Sequence, residues 1–175
     1  PADNLVEEGK QGLTHHIHDF WNHDVYEKAV HKKAKIITAI GMFYDMEDPN
    51  QFIADSEKVL TKNGVFISQL MCLKNMLDSN DVGNICHEHL EYYSFKSLEY
   101  LFNKNGLEIF DVEINNVNGG SYRVYAKKIG AVVQEKKGAF KRVQVVRDSE
   151  NGLDNKKIHI EFYNRLEENK RKIGR

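Results

Sequence analysis

Runs of two different periods alternate along this 175-residue chain, and that alternation restricts its fold more than any single residue does. Residues 34–40, Ala-Lys-Ile-Ile-Thr-Ala-Ile, and 65–71, Val-Phe-Ile-Ser-Gln-Leu-Met, are rich in β-branched and apolar side chains and read as strands, the first of them a central one. Between them Pro49 suits the first turn of a helix that turns Phe52, Ile53, Val59 and Leu60 inward and stops at Asn63-Gly64. After the second strand, Ser94 caps a helix carrying Phe95, Leu98, Leu101 and Phe102, which ends at Asn105-Gly106. Residues 107–114 and 121–126 alternate again around the turn sequence Asn118-Gly119-Gly120, so they should pair as antiparallel neighbours at a sheet edge. The order predicts an α/β, Rossmann-like, mainly parallel sheet closed by an antiparallel terminal hairpin.

The flanks are less regular. Residues 5–10 read as the end of a helix stopped near Gly9 or Gly12, 13–20 as a short strand-like piece, and 22–33 as a helix with Trp21, Val25 and Ala29 along one side. Beyond Lys128 the pattern weakens, and a boundary near Ile129 separates a partial core, 1–128, from a polar linker and amphipathic helix, 129–175. Within 154–173, Ile158, Phe162, Leu166 and Ile173 share one face of that helix.

A formal net charge of -1 gives no electrostatic footprint for nucleic acid, and no apolar run is long enough to span a membrane. Cys72 and Cys86 form no paired motif and read as thiols of a reducing cytoplasm. His15, His16 and His18 invite a metal reading. Neighbours on an extended chain face opposite sides, so the three cannot converge, and no metal is expected.

Chemistry concentrates in residues 84–94, Asn-Ile-Cys-His-Glu-His-Leu-Glu-Tyr-Tyr-Ser, between the 65–71 strand and the Ser94 helix. That places an ionisable cluster beyond the C-terminal end of a strand, where open α/β sheets bind ligands. An imidazole titrates near neutral pH and a carboxylate beside it can orient it, which is the equipment of a general base. His87 and His89 could equally serve as partners for loop carbonyls.

This stretch, together with Asn118-Gly119-Gly120-Ser121-Tyr122-Arg123-Val124-Tyr125 and with Asp48-Pro49-Asn50-Gln51-Phe52, resembles the sugar C-methyltransferase family of S-adenosylmethionine-dependent enzymes, which act on nucleotide-linked keto-sugars. The three segments match that family's H-E-H-L, G-G-S-x-R-V and D-P-x-x-F segments in order and spacing, and the resemblance covers roughly residues 1–128. The chain has Cys86 where the family commonly has Tyr, and Asn118 where it has His. The family's glycine-rich cofactor turn and the acidic residue that ends its second strand have no counterpart here, and Pro1-Ala2-Asp3-Asn4 resembles the sequence just after that acid. The resemblance therefore implies a class I methyltransferase core whose main cofactor motif lies outside this chain.

The implied reaction is methyl transfer to a sugar carbon beside a ketone, which is nucleophilic only as an enolate. His89 is the first candidate base, with Glu88 or His87 as alternative or orienting group. Arg123, Ser121 or the amides of Gly119 and Gly120 would meet the enolate oxygen or the phosphates of the nucleotide sugar. Tyr44, Tyr92, Tyr93 and Asn118 would line the sugar pocket, and Ala39, Ile40 and Met42 the cofactor cleft. Two alternatives stand beside this: a non-catalytic module derived from a methyltransferase, and a sugar O-methyltransferase.

Overall fold

The computed structural model describes residues 3–174, so Pro1 and Ala2 of the first tetrapeptide, and Arg175, lie outside the described residues. After a short helix α1 (Val6–Gly9), the elements run α2 (His23–Val30), β1 (Ala34–Ile40), α3 (Pro49–Val59), β2 (Leu60–Met71), α4 (Leu73–Ser79), α5 (Phe95–Lys104), β3 (Leu107–Asn115), β4 (Ser121–Lys128), α6 (Ala139–Ser149) and α7 (Lys156–Ile173). The four strands form one sheet in the order β1-β2-β4-β3. β1 pairs parallel with β2, while β4 runs antiparallel to both β2 and β3. Three strands thus share a direction and the reversed one is inserted between β2 and β3. The protein has an α/β fold with a mixed sheet.

Local chemistry explains where the helices start. Asn22, Asp48 and Ser94 each accept a hydrogen bond from a backbone N–H of the first turn of α2, α3 and α5. Helices α3 and α5 lay Phe52, Ile53, Phe95, Leu98 and Phe102 on the sheet face that carries Phe66, Leu70, Tyr122 and Val124, all in one cluster. Its centre is aromatic: Phe43 meets Phe52, Tyr93 and Phe102 with ring centroids 5.5–6.2 Å apart.

Several expectations are corrected. β1 is an edge strand rather than a central one, and Ile36 and Ile40 are 62% and 51% exposed on the face opposite α3 and α5. The hairpin stands as expected, β3 and β4 pairing antiparallel at the other sheet edge with β3 outermost. Asn63-Gly64 does not stop α3: Leu60 ends the helix and β2 begins at once, with Asn63-Gly64 inside a register shift against β1. Residues 13–20 form no strand, because no other strand lies alongside to complete a ladder. The polar segment after Lys128 contains a helix, α6, that packs along β3 and sends Val143 and Val146 into the main core. α7 buries Phe162 against Met76, Leu77 and Leu153 in a second, smaller cluster.

Candidate functional site

Three loops meet beyond the C-terminal ends of β1 and β2. The first leaves β1 at Gly41, whose N–H bonds the Gln69 carbonyl, and winds into a single 3-10 turn, Phe43–Asp45. The second, residues 80–93, runs from the end of α4 to the cap of α5 and carries the His-Glu-His cluster. The third is the Asn118-Gly119-Gly120 turn between β3 and β4.

Tyr44 joins the first loop to the second twice over. Its carbonyl accepts from the backbone N–H groups of Leu90 and Glu91 at 3.0 and 3.1 Å, and its ring meets His89 edge-on, centroids 4.4 Å apart. Tyr44 is buried, which pushes its phenol up from the ordinary value, with the charges of Asp45 and Cys86 acting the same way. It is therefore a neutral hydroxyl at physiological pH.

His89 is held from its other side as well. Its Nδ1 lies 2.8 Å from the Asn84 backbone carbonyl, and a carbonyl only accepts, so Nδ1 carries the proton. Nε2 is left as the basic nitrogen and has no hydrogen-bond partner among the described residues. Desolvation pushes the Asp45 carboxyl up, with His89 opposing and Glu88 reinforcing the shift.

The other two members of the cluster are differently placed. His87 and Glu88 point into solvent and pair with each other, Nε2 to Oε1 at 3.2 Å, with side chains 91% and 62% exposed. Glu88 is held below the usual carboxylate range, first by its own backbone N–H. An exposed pair of this kind contributes little and constrains nothing. Of the three candidates the fold fixes one, His89.

Tyr92 is half-buried and its hydroxyl donates to the same Asn84 carbonyl at 3.2 Å. Tyr93 turns into the core: it stacks on Phe43 and its buried hydroxyl has no partner among the described residues, so it does not line an open pocket. Asn118 holds a left-handed conformation, φ 51°, and with Gly119 is exposed. Gly120 and Ser121 are buried, the Ser121 hydroxyl donating to the Val117 carbonyl at 2.7 Å. Arg123 alternates to the face opposite Tyr122, where Nε and Nη2 both donate to the Gln69 side-chain oxygen at 3.0 and 2.7 Å. No carboxylate among the described residues pairs with it, although Glu113 lies directly across the strand. That carboxylate instead bonds Lys136 and the Tyr125 hydroxyl.

Ala39, Ile40 and Met42 do not share a surface: Ala39 is buried in the core, Ile40 faces outward, and Met42 is half-buried against the core. These three residues therefore do not together form one wall of a cofactor cleft. Nor do the described residues form any group of three or more His, Cys, Asp or Glu arranged to hold a metal ion. No described helix is long and apolar enough to cross a membrane.

The polar network most easily missed in the sequence lies below this site. Tyr122, fully buried on β4, donates to the Glu150 carboxylate at the end of α6, and the other carboxylate oxygen accepts from the Phe95 N–H at 2.8 Å. A lone Glu after a charged helix gives no signal of such burial.

No family model matches the chain. Over 101 residues it is 31% identical to the C-methyltransferase NovU of Streptomyces niveus, an alignment that takes in 58% of this chain. The match spans 24% of that protein's length. Among solved structures, the chain is similar to a SAM-dependent methyltransferase from Thermotoga maritima, with a TM-score of 0.44 and 16% identity over 55% of this chain and 58% of that one. It is also similar to magnesium protoporphyrin IX methyltransferase from Synechocystis PCC 6803 with bound SAH, with a TM-score of 0.44 and 10% identity over 55% and 46% of the two chains.

Proposed function

We propose that this chain forms the substrate-facing part of an S-adenosylmethionine-dependent methyltransferase acting on a carbon of a nucleotide-linked keto-sugar, with His89 as the base. The observation that carries the reading is the state of His89: Nδ1–H is committed to the Asn84 carbonyl, which leaves Nε2 as a free acceptor on the rim where three loops meet. The 31% identity to a protein named as a C-methyltransferase supports the same reaction class.

The steps assigned to this chain are those its residues can perform. Nε2 of His89 removes the proton from the carbon beside the ketone, and the electron pair delocalises onto the ketone oxygen as an enolate. The exposed Gly119 amide lies on the loop that would meet that oxygen, the Gly120 N–H being committed to the Val117 carbonyl, and Tyr44 packs its ring against the imidazole. S-adenosylmethionine, when bound, supplies an electrophilic sulfonium methyl for the nucleophilic carbon.

The test is solvent deuterium exchange at the sugar carbon beside the ketone, with substrate saturating and the methyl donor both present as its demethylated analogue and absent. The protein as encoded should exchange, and His89→Gln should slow exchange by roughly a hundred- to ten-thousand-fold while keeping its fold. Exchange at an undiminished rate in the variant would remove His89 from the mechanism and pass the role to Glu88 or His87. A parent protein that binds such sugars yet never exchanges them would favour an O-methyltransferase or a binding module.

A further inference from the structure

We infer that Asp81 is a positioning residue for His89, acting through Asn84. The proposal rests on the reading of His89 as the base, and it assigns a role to two residues outside the His-Glu-His cluster.

Asn84 stands where the histidine loop meets the glycine turn, and it is bonded through both its side-chain amide and its backbone carbonyl. Its side-chain amide donates to Asp81 Oδ2 at 2.8 Å and to the Asn118 carbonyl at 3.2 Å. Its backbone carbonyl accepts from His89 Nδ1 at 2.8 Å and from the Tyr92 hydroxyl at 3.2 Å. An NH2 group has two hydrogens and a carbonyl two lone pairs, so both are saturated. One residue thus fixes the imidazole tautomer and ties its loop to the adjoining turn.

Asp81 sets the orientation of that residue. Its Oδ1 accepts from the Gly83 N–H at 2.8 Å, closing a local turn, while Oδ2 takes the Asn84 amide. It forms no ion pair among the described residues, so its charge answers only neutral donors of this loop. It also abuts the third loop. A Cβ on Gly119 would lie 2.5 Å from Asp81 Oδ2, and Gly119 has φ 75°, so glycine is required there both by conformation and by the carboxylate's approach. The base and the turn facing it are both fastened through Asn84, whose amide Asp81 holds, and should move as one body.

An isosteric change separates this role from mere bulk. In Asp81→Asn one oxygen remains for two donors, Gly83 N–H and the Asn84 amide, and the new NH2 confronts the Asn84 NH2. The double variant Asp81→Asn/Asn84→Asp restores a donor and acceptor between the two side chains, though it leaves the Asn118 carbonyl without its donor. The Asn84 side chain does not itself touch His89. Removing it should therefore alter the imidazole only if the bridge positions the backbone carbonyl.

The experiment is nitrogen-15 NMR of the imidazole in the 175-residue chain, which reads the ratio of the two neutral tautomers and needs neither substrate nor methyl donor. The parent should show His89 as the Nδ1–H form. Asp81→Asn and Asn84→Ala should each shift the ratio toward Nε2–H by about three- to tenfold, the equivalent of weakening one hydrogen bond. The double variant should recover most of the parent ratio. Parent-like tautomers in Asn84→Ala would overturn the proposal, as would failure of the double variant to recover. If Asp81→Asn does not fold, Asn84→Ala carries the decision alone. A shift seen here with no deuterium exchange in the parent would refute the proposed reaction and leave this inference standing.

Discussion

Arg165 of α7 donates through Nε to the Asn80 side-chain oxygen and through Nη2 to the Leu77 carbonyl, both at 2.7 Å. The last helix therefore grips the end of α4, one residue before Asp81. Asn80 closes α4 in a left-handed conformation, φ 54°, and Leu77 supplies one of the carbonyls that a helix end leaves unpaired. A guanidinium satisfies both at once.

Arg165→Ala should cost about 1–2 kcal/mol, since hydrogen bonds from a charged donor exceed neutral ones but this side chain is half-buried. Amide hydrogen exchange should accelerate in residues 77–84 more than in β2 or β4. Uniform acceleration across the sheet would show that α7 stabilises the whole fold and holds no particular loop.

Glu150 should make stability depend on pH. Burial pushes its carboxyl up, against hydrogen bonds from Tyr122 and from the Phe95 and Lys96 amides that pull it down. A carboxyl raised in the folded state adds stability in full below its unfolded value and loses it as pH rises through the folded value. Urea unfolding of the parent and Glu150→Gln from about pH 4 to about pH 8 should show the parent losing ground to the variant as pH climbs. Parallel curves would mean that the Tyr122 and Phe95 contacts fully offset burial.

Gly120→Ala should be far more damaging than Gly130→Ala. Gly120 sits at φ 129°, and a Cβ there would lie 2.3 Å from Asn75 Nδ2 and 2.7 Å from its Cβ, whereas one at Gly130 meets open space. Gly130 also holds a positive φ, 75°, so backbone strain on the order of 1–3 kcal/mol falls on either variant, and the Asn75 clash is added at Gly120 alone. The Gly120 carbonyl also accepts from the Cys72 N–H at 3.0 Å, so strain there reaches the end of β2. Comparable thermal midpoints for the two variants would contradict this.

The isolated chain should bind S-adenosylmethionine weakly, because Ala39 is turned into the core and Ile40 and Met42 offer only apolar contact. Titration calorimetry giving micromolar affinity would reveal a cofactor surface outside these three positions.

The strands and the hairpin were legible because alternating and β-branched residues there agree with the burial the sheet imposes. α4 was not: a seven-residue helix that buries only Met76 and Leu77 is too short to display a period. α6 was hidden by charge. Its buried residues, Ala139, Val143 and Val146, are interleaved with Arg142 and Arg147, which read as solvent-facing until Asp111 and Glu99 are seen to meet them. Residues 13–20 failed in the opposite way, reading as a strand-like piece with no strand alongside to pair against. At the site, the residue types announced themselves, but the difference between His87 and His89 did not. Two positions apart, they are told apart only by a carbonyl at Asn84 and a ring at Tyr44, which are tertiary facts.

Tyr44 fastens the histidine loop by its main chain and supports the imidazole by its side chain. Every residue but proline at Leu90 or Glu91 can supply the N–H groups, and every residue at 44 the carbonyl. Sequence drift at this position would therefore retune what the imidazole leans on without unfastening the loop that presents it. The fastening of the loop is thus a property of the main chain at position 44, and the support of the imidazole a property of its side chain.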